Sequence, residues 1–219
     1  MRIARSLLLL ALAAVPAGRA VAQSADRDKP VAGGGNLPAG WTARPDGRGS
    51  LANVKLVTMP PGYHVTLGPA AIFWREEDKV TGRFHTLATF TQTQAPAHPE
   101  GYGLFFNGKD LNGPNQHYVY FLVRGDGTFL IKRRDGDKTT NITNGWTAHP
   151  AINKADGTGK ATNKLEIDGK ASADKIRFFV NGKVVYEAEP SAMEMDGIVG
   201  FRVNHNLDVH IEGFDIHRM

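Results

Sequence analysis

None of the 219 residues is cysteine. That excludes disulfides, thiolate zinc sites, a cysteine nucleophile and a lipid-modified N-terminal cysteine. Long apolar runs are missing too: beyond residue 22 no stretch approaches the roughly 20 apolar residues of a membrane-spanning helix, so no stable membrane insertion is expected. No window keeps a 3.6-residue apolar period for three turns, which argues against helical architecture. The chain has no G-x-S-x-G elbow, phosphate-binding glycine loop, dinucleotide fingerprint or H-E-x-x-H spacing, and no metal centre is expected from motifs. Excess charge is also missing. The formal +4 includes Arg2, Arg5 and Arg19 of an N-terminal segment read below as removed, and 26 basic residues less three leaves 23 against 22 acidic. A near-neutral mature chain gives no compositional support for a nucleic-acid partner.

Arg2 and Arg5 make a positive n-region, Leu7 to Val15 an apolar h-region, and Ala20-Val21-Ala22 a small-x-small cleavage pattern. Residues 1–22 therefore read as a signal peptide of bacterial type, with a periplasmic or secreted product. Residues 23–40 hold almost no large apolar side chain and include Gly33-Gly34-Gly35, so they read as a flexible leader. Residues 41–219 change character, with short β-branched and aromatic runs separated by Gly, Pro, Asn and Asp. The pattern predicts strands at 54–59, 64–67, 71–74, 84–91, 102–106, 117–124, 128–134, 139–142, 164–167, 175–180, 183–187, 198–203 and 208–216. Gly125-Asp126-Gly127, Asp135-Gly136-Asp137 and Asn181-Gly182 supply hairpin turns, the last flanked by the clearest alternation in the chain. So many antiparallel strands in one domain, without a repeat period, predict an all-β jelly-roll sandwich of two antiparallel sheets.

The segment Tyr118 to Arg134, then Trp146, Asn163-Lys164-Leu165, Phe179-Val180-Asn181-Gly182 and Gly197-Ile198-Val199-Gly200-Phe201, resembles the concanavalin A-like lectin/glucanase superfamily. Within it the chain is most similar to the exported bacterial branch related to the 3-keto-disaccharide hydrolase domain. The likeness covers 102–219 closely and 41–99 loosely, and rests mostly on turn and core positions. It implies a two-sheet jelly roll, and glycan binding on the concave sheet as in many members.

Aromatic rings stack on pyranose C–H surfaces, and planar polar groups orient hydroxyls. Tyr118, Tyr120, Arg124, Lys132 and Arg134 are candidate ligand-binding residues on strands, with Trp74 and His117 as additions and Asn204 and His205 in a turn. Tyr118 and Tyr120 share a face, as do Lys132 and Arg134, and a regular hairpin would put both pairs on one surface. In the last strand Asp208, His210 and Glu212 fall on one face by period two and are the candidate catalytic set. Glu166-Ile167-Asp168 resembles the start of the E-x-D-x-x-E strand of retaining glucanases, but its third acid is absent, and with it the second catalytic carboxylate. No cofactor is expected, although Asp110 to Asn115 and Asp135 to Asp137 offer oxygen ligands that leave room for a structural calcium. The functional expectation is non-catalytic glycan recognition on the concave sheet. The alternatives are a hydrolase or lyase acting on modified, 3-keto sugars and a module that binds another envelope protein.

Overall fold

The computed structural model describes residues 27–218. The assigned signal peptide and the first residues of the leader lie outside the described residues. Fifteen strands are present there: β1 (Trp41–Pro45), β2 (Val54–Met59), β3 (Gly62–Leu67), β4 (Ala71–Val80), β5 (Phe84–Gln92), β6 (Gly101–Lys109), β7 (His117–Arg124), β8 (Thr128–Asp135), β9 (Lys138–Asn141), β10 (Thr147–Ala148), β11 (Ala161–Asp168), β12 (Ile176–Val180), β13 (Lys183–Ala188), β14 (Gly197–Val203) and β15 (Asp208–Arg218). Among the described residues, helix is confined to two three-residue 3-10 turns at Leu51–Asn53 and Pro190–Ala192.

One sheet runs β1-β4-β14-β6-β7-β8-β10, with β9 also paired to β8; the other runs β13-β12-β11-β5-β15-β3-β2. Every pairing among the described residues is antiparallel, and the chain changes sheet seven times there, at β1–β2, β3–β4, β4–β5, β5–β6, β10–β11, β13–β14 and β14–β15. This is a jelly-roll sandwich. Between the sheets lie Phe73, Phe90, Phe106, Phe121, Phe178 and Phe201, all fully buried. Phe121 meets Phe178 edge-on at 5.3 Å and Phe90 meets Phe201 at 6.1 Å and 89°, an arrangement the aromatic quadrupole favours.

Local chemistry sets the turns. Asn181 (φ 50°) and Gly182 (φ 75°) close the β12–β13 hairpin with the two positive φ values of a tight primed turn. A bulge at Gly213 (φ 61°) shifts the register of β15 against β5. Before it Val209 and Ile211 enter the core; after it Phe214 and Ile216 pack there instead.

Some boundaries differ from the sequence pattern for identifiable reasons. β4 runs on to Val80 instead of ending at Trp74, because β14 pairs with it again at Lys79 and Val80, whereas β1 pairs only with Ala71 to Arg75. The remainder of β4 lacks a partner on that side, and Glu76, Glu77 and Lys79 are exposed there, a charged edge that hides the strand from an apolar pattern. β1 itself ends in Pro45, which an edge strand tolerates. Residues 27–40, read as a flexible leader, lie against the sandwich. Lys29 N–H donates to the Asn206 side chain at 2.8 Å, Gly35 N–H to the Val54 carbonyl at 2.9 Å, and Leu37 packs on the core. The segment is held mainly through its backbone, which composition does not register.

Candidate functional site

The central strands of the eight-stranded sheet are buried on both faces. All seven residues of β14, eight of nine in β6 and six of eight in β7 are buried. Alternate residues of these strands enter the inter-sheet core. The others, Trp74, Phe105, Tyr118, Tyr120, Leu122 and Ile198 among them, form a separate apolar cluster on the outer side, joined by Leu111 and Trp146 from loops. Five strand steps separate β1 from β8, about 24 Å in a flat sheet. Yet Asp46, the residue after β1, lies 3.4 Å from Arg134 of β8. The sheet therefore curls, and this outer side is its concave face. Gly200 forms part of its floor, where a Cβ would meet the Phe73 carbonyl oxygen at 2.2 Å and the Phe105 ring at 2.7 Å.

Register places Tyr118 opposite Arg134 and Tyr120 opposite Lys132. Above them Arg202 of β14 donates through Nη1 and Nη2 to the two carboxylate oxygens of Asp46 at 3.2 and 2.6 Å, and through Nη1 to the Tyr118 hydroxyl at 3.0 Å. Its guanidinium carbon sits 4.9 Å from the Tyr120 ring centre. Arg44 donates to the carbonyls of Leu111 and Gly113, both at 2.7 Å, and so ties the β6–β7 loop to β1. Burial alone would raise the Asp46 pKa, but Arg202, Arg134 and Arg44 outweigh it and hold the carboxyl below its ordinary value. Lys132 is pushed below the usual lysine range by burial and then by Arg202 and Arg134. Tyr118 and Tyr120 are both raised, mainly by burial.

Burial corrects one expectation. Tyr118 is fully buried and Tyr120 is 5% exposed, so Tyr118 supports Arg202 from beneath and presents no open ring face. Trp74 is likewise buried, its indole N–H donating to Glu76 at 3.1 Å. His117 pairs with Asp135 and contacts Asn107, beside the Tyr118 end of β7. Beyond Trp74 a cleft of about 570 Å³ continues the concave face, lined by Glu76, Lys79, Lys109 and Asp110 together with Leu111 and Ile198 of the outer cluster. There the Asp110 carboxylate accepts the Asn115 N–H at 2.9 Å. Among the described residues no group of three or more His, Asp or Glu side chains is placed to hold a metal ion.

Arg124 lies at the other end of the face, its guanidinium 3.6 Å from the centre of the half-buried Trp146 ring. Asn204 and His205 are nearby in the chain turn after β14, and both bind Glu100, at 3.2 and 2.8 Å. The sequence-predicted ligand residues therefore divide into a central group and an end group. Asp46, Arg202 and Trp146 were not singled out as site residues. Only Arg202 carried a signal, as a charge inside the otherwise apolar run Gly197 to Val203.

Asp208, His210 and Glu212 lie elsewhere, on the outer face of the seven-stranded sheet. His210 contacts Glu212 at 3.0 Å, and Asp208 accepts from His64 at 2.9 Å, from Thr66 at 2.8 Å and from Thr93. Burial opposes ionisation of Asp208, but the bonds from His64, Thr93 and Thr66 bring its pKa down to about 2. Glu166 is on the same face, paired with His85 at 3.1 Å and Lys164 at 3.2 Å.

No protein-family profile and no curated protein matches the chain in sequence. Solved structures share its fold. The carbohydrate binding module CBM66 from Bacillus subtilis superposes with a TM-score of 0.58 at 13% identity, covering 81% of this chain and 95% of that one. A Bacillus licheniformis β-glucanase gives 0.52 at 10% identity, covering 84% and 94%. A Bacillus subtilis protein of galectin-like fold gives 0.51 at 12% identity, covering 81% and 89%. The chain thus shares the two-sheet jelly-roll fold of these structures. Identities this low show the fold alone.

Proposed function

We propose that this is an exported carbohydrate-binding protein that recognises a glycan on the concave face of its eight-stranded sheet without cleaving it. The single supporting observation is that face itself: a curved sheet whose outward side carries a buried aromatic cluster topped by Arg202, Arg134 and Lys132. An outward sheet surface of a soluble domain is ordinarily polar and alternating. One that is apolar beneath and cationic above offers both rings to back a sugar and fixed donors to orient its hydroxyls. Tyr120, Lys132 and Arg134 would meet the ligand at the centre, and Arg124, Asn204 and His205 at the end marked by Trp146. A carbohydrate binding module and a protein of galectin-like fold are among the structures that share this fold, which agrees with this reading.

A thermal-shift screen of the chain from Gln23 onward, against mono-, di- and oligosaccharides including 3-keto sugars and with and without Ca²⁺, tests the proposal. A ligand that binds only the folded state raises the midpoint by mass action. A saturable, sugar-dependent rise with the sugar unconsumed is expected. Consumption would move the reading to a hydrolase or lyase on modified sugars, with His210, Asp208 and Glu212 to be tested first. No rise with any sugar would overturn the proposal in favour of an envelope protein partner.

A further inference from the structure

Charge on the concave face is unbalanced. Arg44, Lys132, Arg134 and Arg202 converge there, and among the described residues Asp46 is the one carboxylate that pairs with any of them. Asp46 is held by the Arg202 fork, so the protein's own carboxylate already fits this guanidinium geometry in the paired-oxygen mode that planar anions adopt. Donor capacity is left over. The Nε–H groups of Arg202 and Arg134 are buried with no acceptor among the described residues, and Arg202 as a whole is only 7% exposed. Lys132 makes no ion pair among the described residues, and its charge is disfavoured by burial and by the two arginines. Buried donors without acceptors and unpaired cations are costly. An anion set against Lys132 and the arginine cluster answers the unpaired charge.

Resting on the carbohydrate reading, we infer that the ligand is an acidic glycan, one whose sugar units carry a carboxylate, as uronic acids do, set among Lys132, Arg134 and Arg202. A neutral glycan leaves these donors to hydroxyls and the charge unanswered; a carboxylate accepts two directed bonds and neutralises a cation. The apolar floor beneath excludes water and strengthens the attraction.

The test compares oligogalacturonate with its methyl ester, which has the same sugars and no charge, by calorimetric titration at low and high salt. A sulfated oligosaccharide and a neutral glucan panel complete the set. The acid is expected to bind about tenfold or more tightly than the ester, with the gap narrowing as salt screens it. Lys132→Met should remove most of that gap. Lys164→Met makes the same charge change on the opposite face, beside Glu166, and should leave the gap intact. Both lysines are at least partly exposed, so neither change should prevent folding. Equal binding of acid and ester, or tighter binding of neutral glucans, overturns the acidic assignment and leaves glycan recognition standing. Tighter binding of the sulfated sugar than of the uronate overturns the carboxylate assignment. No binding by any sugar overturns both readings.

Discussion

The outer faces of the two sheets are both built from antiparallel strands, yet they differ in chemistry. On the seven-stranded sheet, β5 alternates strictly between buried and half-buried residues. Outward side chains of this sheet pair across strands, Thr91 with Thr162 at 2.9 Å, His85 with Glu166 and His64 with Asp208. On the eight-stranded sheet the outward positions are Trp74, Phe105, Tyr118, Tyr120 and Leu122, and alternation disappears because both sides are buried. A sheet face meeting only solvent needs polar pairs to remain soluble. One that spends a tryptophan, a phenylalanine and two tyrosines there, beneath an arginine cluster, is built for something other than solvation.

Asp46→Ala should separate the two faces most sharply. It strands the Arg202 guanidinium, so a loss of about 3 kcal/mol is expected in denaturant unfolding, whereas Asp215→Ala, whose carboxylate on the other face is 62% exposed, should change little. Equal losses would erase the contrast.

Acid comes next. Asp208 has a folded-state pKa of about 2, below its ordinary 3.8. Its contribution is fully present above the ordinary value and is lost as pH falls through it toward 2. On the order of 1–2 kcal/mol should disappear across that window, and Asp208→Asn should flatten the profile there. Asp46 is depressed in the same direction, so its face loses stability on acidification too.

Tyr118→Phe removes the hydroxyl that accepts from Arg202 while keeping the ring. A loss of about 1 kcal/mol in unfolding is expected, with weakened glycan affinity if Arg202 shifts. The smallest effect belongs to His210→Ala, which should leave sugar affinity unchanged in a binding titration; lost affinity would move the site to the seven-stranded sheet.

Much of the fold was legible because turn chemistry is local. Asn181-Gly182 needs only its own φ values, and the strands around it carry period-two patterns. The concave face was half legible. Tyr118, Tyr120, Lys132 and Arg134 follow from strand alternation and a regular hairpin, since all sit on two consecutive strands. Asp46 did not, because it reaches Arg134 only through the curl of six strands, a property of the whole sheet. Burial of Tyr118 was hidden for the same reason: period two tells which residues share a face, not how deep that face lies. The clearest missed cue was the near-continuous apolar character of β6, β7 and β14, the pattern of strands covered on both sides.

Chemical-shift mapping on isotope-labelled protein, titrated with the best-binding oligosaccharide, tests the concave-face assignment most directly. Perturbations centred on Tyr120, Lys132, Arg134 and Arg202 and spreading toward Trp146 are expected. Perturbations centred on His64, His85, Asp208 and His210, with the concave face silent, would contradict it.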